Sequence, residues 1–198
     1  MAGDAMTPGL VPLPDRFFDD YLPGLVGVFG AEPVSEAEIL DFAARFDPQS
    51  IHTDASAAAG GPFNGLIASG WHTMALMMRI LVRYYLNEAA SLASPGVDEL
   101  RWHRPVRPGD VLSLRCTVVQ ARVSRSKPDR GLVHTAIEIL NQYQETVATL
   151  TMMNLLRRRP DPDPSRHQTA AATGFMPPWC PLPGPCRYEG TAEGLVDS

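Results

Sequence analysis

The stretch FDPQSIHTDASAAAGGPFNGLIASGWHTMALMMRILVRYYL, residues Phe46 to Leu86, decides the fold because it joins two kinds of structure. Its first part holds Asp47 and His52 among small residues, and its last part is a long apolar run. Pro48 disfavours the helical conformation of the residue before it, so a preceding helix should end at Asp47. On a continuous helix these two side chains would point about 140° apart, whereas a break lets the carboxylate and the imidazole converge.

The apolar run predicts a helix from Leu66 to Leu86, about 30 Å long. Its length would suit a membrane span, but it contains Arg79 and Arg83, whose charges would be costly in hydrocarbon. A helix that is apolar around most of its girth needs cover on most sides, and a curved sheet can provide that cover. We therefore expect this helix at the centre of a soluble domain.

Composition limits the class of protein. The chain has 198 residues, 44% of them hydrophobic and 20% charged, as in an ordinary globular domain. The net charge of −5 gives no reason to expect a nucleic acid as partner. Cys116, Cys180 and Cys186 show no metal-ligand spacing, and although the last two could pair, no secretory signal pattern is present. We expect reduced thiols and a cytoplasmic protein.

Proline and glycine divide the chain into three parts. Residues 1–16 are predicted to be a flexible arm, residues 17–159 the folded domain, and residues 160–198 a Pro-rich tail that is disordered or draped on a partner. The domain should begin with a strand between Asp20 and Gly30, broken or bulged near its proline.

Two capping patterns place short helices. Ser35 followed by Glu38 fits a capping box and starts a helix that ends at Asp47. Asp54 resembles the N-cap of a helical turn that reaches Ala59.

The remainder predicts an antiparallel meander joined by the turns PVRPGD and SKPDRG. The predicted strands are Pro95–Arg104, Val111–Val119, Leu132–Asn141 and Thr146–Leu156. Together with the long helix they indicate an α+β domain in which an antiparallel sheet surrounds one helix.

Asp47, His52, Ala58, the FNGLIASGW segment and the RPVRPGD turn resemble the MaoC-like dehydratases, the family of the R-specific enoyl-CoA hydratases. The resemblance covers about residues 20–157. It implies a single hotdog domain, with an antiparallel sheet wrapped around a long central helix. The family pattern has Asn-Pro between the aspartate and the histidine, and this chain keeps the spacing with different residues in between.

The resemblance also implies a lyase that hydrates 2-enoyl thioesters reversibly, with Asp47 and His52 holding the water. Ser69, Gly70 and Trp71 would bind substrate, with the Gly70 amide donating to the thioester oxygen. The substrate would be an acyl-CoA, and no metal or cofactor would be needed beyond the CoA of the substrate. The chain is too short for two hotdog repeats, so a homodimer is implied.

Alternatives remain at this point. A hotdog thioesterase would direct water at the thioester carbonyl, and a silent acyl-CoA-binding protein would keep only the fold. The acyl group, and CoA against an acyl carrier protein, stay open. Among other candidates, His72 is expected on the polar side of the long helix, and His103 and His134 are expected to be ordinary strand residues. The basic side chains near SKPDRG are interpreted as a solvated loop: Arg122, Arg125, Lys127 and Arg130.

Overall fold

The computed structural model describes residues 11–160, so residues 1–10, most of the expected Pro-rich tail, and its Cys180 and Cys186 lie outside the described residues. Two 3-10 turns, at Leu13–Asp15 and Phe18–Asp20, precede the main elements. The elements are β1 (Val26–Pro33), α1 (Glu36–Phe46), α2 (Ser50–Thr53), α3 (Ala55–Ala59), α4 (Gly70–Tyr84), β2 (Ser91–Trp102), β3 (Val111–Val123), β4 (Arg130–Leu140) and β5 (Thr146–Arg157).

The five strands form one sheet in the order β1-β3-β4-β5-β2, with every neighbouring pair antiparallel. Alternate side chains of β3 face inward and are almost fully buried, as the sequence pattern predicts: Leu112, Leu114, Cys116 and Val118. These side chains belong to the same core as Leu76, Ile80 and Leu81 of α4. The predicted α+β hotdog arrangement, a sheet wrapped around a central helix, is confirmed.

The capping predictions are confirmed. The Ser35 hydroxyl accepts from the Glu38 amide at 3.1 Å and completes a capping box at the start of α1. At the other end of α1, Asp47 leaves the helical conformation with φ −154° and ψ 68°, as Pro48 requires. Asp54 caps α3 by accepting from the amides at positions 56 and 57.

The long helix begins at Gly70, so the predicted start at Leu66 is wrong. The preceding segment is extended, because its amides bond elsewhere: Ile67 N–H to the Ile51 carbonyl at 3.3 Å, and Ala68 N–H to the Val106 carbonyl at 2.8 Å. These bonds keep the preceding segment extended, so Ser69 is the N-cap residue of the helix. Within residues 11–160, no helix is long and apolar enough to cross a membrane.

The first strand also differs from its prediction. It runs from Val26 to Pro33 and passes through an irregularity between Phe29 and Glu32. Gly30 sits in that irregularity with φ +82°, where a Cβ would also lie 2.7 Å from Ile80 Cγ2. The glycine predicted to end the strand therefore bends it over α4 and lets it continue.

The packed part of the chain begins before the boundary drawn at residue 17. Arg16 is buried and its guanidinium donates to the carbonyls of Tyr84 and Tyr85, at 3.1 and 2.9 Å. Its other nitrogens donate to the Val11 carbonyl. The stretch from residue 11 to residue 16, expected in a flexible arm, therefore covers the C-terminal end of α4.

Candidate functional site

A cleft of about 410 Å³ lies where the loop after α1, the start of α4 and the end of β2 meet. Asp47, His52, Gly70 and Trp71, four of the five candidate site residues, line it. The fifth, Ser69, is fully buried behind the carboxylate of Asp47. The cleft therefore brings together side chains that the sequence places in three different elements.

The side chains of the candidate acid–base pair, Asp47 and His52, lie next to each other in the wall of the cleft. His52 Nε2 lies 3.5 Å from Asp47 Oδ2. The approach is possible because the backbone leaves α1 at Asp47 and re-enters a helix only at Ser50, so that His52 falls in the new turn. The His52 side chain is 7% exposed and that of Asp47 19%. Both can therefore reach a small molecule in the cleft while most of their surface is held by protein.

The orientation of the imidazole is fixed from behind. His52 Nδ1 lies 2.9 Å from the Ile67 carbonyl oxygen. Because a carbonyl only accepts hydrogen bonds, Nδ1 must carry the proton in this contact. The neutral ring then presents the lone pair of Nε2 toward Asp47 and the cleft, where it can accept a proton.

The carboxylate is held by two donors. Gln49 Nε2 donates to Asp47 Oδ1 at 2.7 Å, and the Ser69 hydroxyl donates to Oδ2 at 2.6 Å. These hydrogen bonds, that of Gln49 first, lower the pKa of Asp47 below its usual value. Asp47 is therefore a carboxylate at neutral pH and can accept hydrogen bonds but cannot donate a proton.

The start of α4 forms the third side of the site. Gly70 is the first residue of the helix, and the amides of a first helical turn have no partner inside the helix. Ser69 Oγ accepts from the Trp71 amide at 3.2 Å, so one hydroxyl links the helix start to the candidate carboxylate. The positive end of the helix dipole lies at this point and favours negative charge.

Ten further residues line the cleft that were not selected as site residues from the sequence, among them Phe63, Trp102, His103 and Arg104. Trp102 packs edge-on against Trp71, with ring centroids 5.8 Å apart. His103, expected to be an ordinary strand residue, lies beside the cleft with Nε2 2.8 Å from Thr149 Oγ1. A signal was present in the segments that support the family resemblance: Trp102 and His103 immediately precede RPVRPGD, which begins at Arg104, and Phe63 begins FNGLIASGW.

His72 lies on the same side of α4 as Arg79, as expected, but it is buried there. It is 5% exposed, stacks on Phe42 at a ring distance of 4.8 Å, and its Nδ1 has no hydrogen-bond partner among residues 11–160. Burial lowers its pKa. It lies on the side of α4 that packs against α1, away from the cleft lining.

None of the basic side chains near the SKPDRG loop lines the cleft. His134, on strand β4, does not line it either, as expected for an ordinary strand residue. Among residues 11–160, no group of three or more His, Cys, Asp and Glu side chains could hold a metal ion.

The sequence matches the family model described as MaoC like domain over residues 29–138. A solved structure of a MaoC-like dehydratase from Rhodospirillum rubrum is 41% identical, with 73% of this chain and 99% of that chain covered and a TM-score of 0.69. The likeness therefore extends over the whole of that relative.

Two curated proteins are also similar. The uncharacterized protein YdeM of Bacillus subtilis is 28% identical over 140 residues, which are 71% of this chain and 98% of YdeM. The 3-hydroxyacyl-thioester dehydratase Z of Mycobacterium tuberculosis is 31% identical over 108 residues, which are 54% of this chain and 72% of that protein.

Proposed function

The chain belongs to the MaoC-like dehydratase family, and from this we propose that it is a hydro-lyase of the R-specific enoyl-CoA hydratase type. It would add water reversibly across the double bond of a 2-enoyl thioester. The observation that carries this proposal is the pairing of His52 Nε2 with Asp47 Oδ2 at 3.5 Å in a cleft at the start of a helix.

The pair suits a water molecule as its shared ligand. A water donates one proton toward the Asp47 carboxylate and the other toward the lone pair of His52 Nε2. His52 takes the second proton while the water oxygen bonds to the β-carbon. The electron pair of the double bond then moves toward the thioester oxygen.

The same imidazole completes the addition. Asp47 is ionised, so the proton that forms the new C–H bond at the α-carbon comes from His52 Nε2–H, which returns the ring to its neutral form. Water and proton are therefore delivered from one side of the double bond. The reverse sequence of steps dehydrates a 3-hydroxyacyl thioester.

Negative charge on the thioester oxygen needs a donor. The amide of Gly70, at the N-terminus of α4, has no partner inside the helix and can supply it. Removing one such donor from an enzyme typically costs about 100- to 1,000-fold in rate. Gly70 lines the same cleft as the acid–base pair, which supports this role for its amide.

The reaction class is tested with the purified chain and crotonyl-CoA or a longer trans-2-enoyl-CoA. Loss of the enoyl-thioester absorbance without release of free thiol supports hydration. Release of thiol would instead indicate a thioesterase, and neither change with any enoyl-CoA would contradict the proposal. Activity should survive a chelator and need no added cofactor, because only CoA of the substrate is invoked.

The partner we propose is a second copy of this chain, docked along β2. This 12-residue strand lies at the edge of the sheet with one row of backbone groups unpaired, and it exposes Val97. Light scattering should give twice the mass of the chain, and Val97→Asp should favour the monomer. Val123→Asp, on an inner strand, is the matched control.

A cytoplasmic location is likewise a proposal, tested by cell fractionation.

A further inference from the structure

We infer that Trp102, the last residue of edge strand β2, is a positioning residue that fixes Gly70 and with it the first turn of α4. This inference rests on the proposed function, because the Gly70 amide is the donor proposed there for the thioester oxygen. It assigns to the sheet edge a direct part in setting the geometry of the cleft.

The contact between the two residues is close and specific. Trp102 Nε1 donates a hydrogen bond to the Gly70 carbonyl at 3.2 Å. The face of the indole covers the Gly70 α-carbon so closely that a Cβ there would lie 2.7 Å from Cε2 and 2.8 Å from Nε1. Real Cβ atoms essentially never make such approaches, so the ring fills the space that any other residue at position 70 would need.

This explains why position 70 holds a glycine. Its φ is not among the positive values that favour glycine elsewhere in the chain, so its backbone conformation is one that alanine also adopts. Alanine would in fact favour the helix. The requirement for glycine is therefore steric and comes from Trp102.

The arrangement pins the helix start from two sides. Ser69 holds the first turn toward Asp47, and Trp102 holds it toward the end of β2. Trp71 follows Gly70 and packs edge-on against the same indole. A shift of the indole would therefore move the Gly70 amide relative to the acid–base pair, and misplacement by about 1 Å can cost on the order of 100-fold in rate.

The test is a cycle of four proteins: the natural chain, Gly70→Ala, Trp102→Leu and the double variant. Gly70→Ala should lose about 100-fold in kcat with little change in KM, and its thermal midpoint should fall by several degrees. In the Trp102→Leu background the same Gly70→Ala change should be close to neutral in both kcat and thermal midpoint, because the obstructing ring is gone. An equal effect of Gly70→Ala in both backgrounds would overturn the inference.

Trp102→Phe separates the two parts of the contact. Phenylalanine keeps an aromatic ring over Gly70 and loses the N–H donor, so kcat should fall by less than in Trp102→Leu, with KM again little changed. A rise in KM at unchanged kcat would show that Trp102 only binds substrate, and would contradict a positioning role.

Two glycines serve as controls. Gly60 has open space where its Cβ would lie, so Gly60→Ala should change neither rate nor stability. Gly131 lies against the Phe18 ring, outside the cleft lining, so Gly131→Ala should lower the thermal midpoint and leave kcat of the folded protein unchanged. If the natural chain hydrates no enoyl thioester, the proposed function fails, while the thermal cycle still decides whether Trp102 dictates glycine at position 70.

Discussion

The backbone polar groups at the two ends of α4 have different surroundings. At the C-terminal end the carbonyls of Tyr84 and Tyr85 accept from the buried Arg16, and the Tyr21 hydroxyl adds a third bond to Tyr85 at 2.7 Å. At the N-terminal end Gly70 and Trp71 border an open cleft beside Asp47. At one end, the sealed end, protein donors occupy the carbonyls, whereas the other, the open end, borders the cleft.

The difference shows how one helix can serve both stability and chemistry. A guanidinium at the negative end of the helix dipole satisfies groups that would otherwise be buried without partners. At the positive end, Ser69 accepts from the Trp71 amide, and Gly70 lines the cleft. Changes at the open end should therefore alter rate, and changes at the sealed end should alter stability.

The largest expected effect is at the open end. His52→Gln removes the group that carries the proton and keeps a side chain of similar length, so the hydration rate should fall about 1,000-fold. The free energy of unfolding should change much less, because few core contacts depend on this ring. Stopped-flow absorbance with an enoyl-CoA and urea unfolding measure the two quantities. A rate within tenfold of the natural chain would remove His52 from the mechanism.

Next in size is a change at the sealed end. Arg16→Met keeps the apolar stem but leaves the Tyr84 carbonyl without its donor and the Tyr85 carbonyl with the Tyr21 hydroxyl alone, which should lower the free energy of unfolding by about 3 kcal/mol. Urea unfolding measures it, and kcat of the folded protein should stay the same. Arg45→Met, at an exposed surface pair with Asp41, is the control and should cost less than about 1 kcal/mol. Equal losses in the free energy of unfolding would show that the buried contacts of Arg16 stabilise the fold no more than the exposed pair of Arg45 does.

Ser69→Ala tests the residue that links helix and carboxylate. It removes the donor to Asp47 Oδ2 and the N-cap of α4, so the rate should fall about tenfold and stability by about 1 kcal/mol. The pKa of Asp47, which its hydrogen bonds hold low, should rise, and because the carboxylate form is the active one, the acid limb of the pH–rate profile should move to higher pH.

Gln49→Leu tests the shift of the acid limb separately from the loss of the helix N-cap. It removes the donor to Oδ1 without touching the helix start, so the acid limb should move in the same direction while the free energy of unfolding stays nearly constant. An acid limb that stays in place in both variants would show that Asp47 does not control the rate at low pH.

The smallest expected effect concerns His72, which lies in the first turn of α4 but faces α1 and not the cleft. Burial first, and Arg79 second, lower its pKa below the ordinary 6.5, while Glu38 acts in the opposite direction. The unfolded chain therefore binds a proton more readily than the folded one, and stability is lost as the pH falls below about 6.5. His72→Leu should flatten this part of the stability–pH curve, measured by urea unfolding at a series of pH values. A curve as steep as that of the natural chain would assign the loss to other groups.

The sequence was most informative where one residue dictates the local backbone. Pro48 forces the break after Asp47, and Ser35 with Glu38 sets the start of α1. The alternation in β3 predicted its buried face correctly, because a side-chain period of two leaves only one way to place apolar residues inward.

Prediction failed where distant partners decide. Leu66 to Ala68 is apolar and fits a helix, but a hydrogen bond to Val106, far along the chain, holds it extended. Trp102 and His103 enter the cleft only because β2 ends beside the start of α4. Arg16 is buried because its guanidinium donates to carbonyls at the C-terminal end of that helix. No local pattern carries this information.

The proposed role of the Asp47–His52 pair in water addition is tested most directly by two measurements on Asp47→Asn: its hydration rate and its affinity for a 3-hydroxyacyl-CoA. Asparagine keeps the shape of the side chain and its place beside Ser69, but it lacks the charge that orients the water. We expect a rate lower by at least about 100-fold with the dissociation constant changed only a few-fold. An unaltered rate would contradict the assignment of the Asp47–His52 pair as the site of water addition.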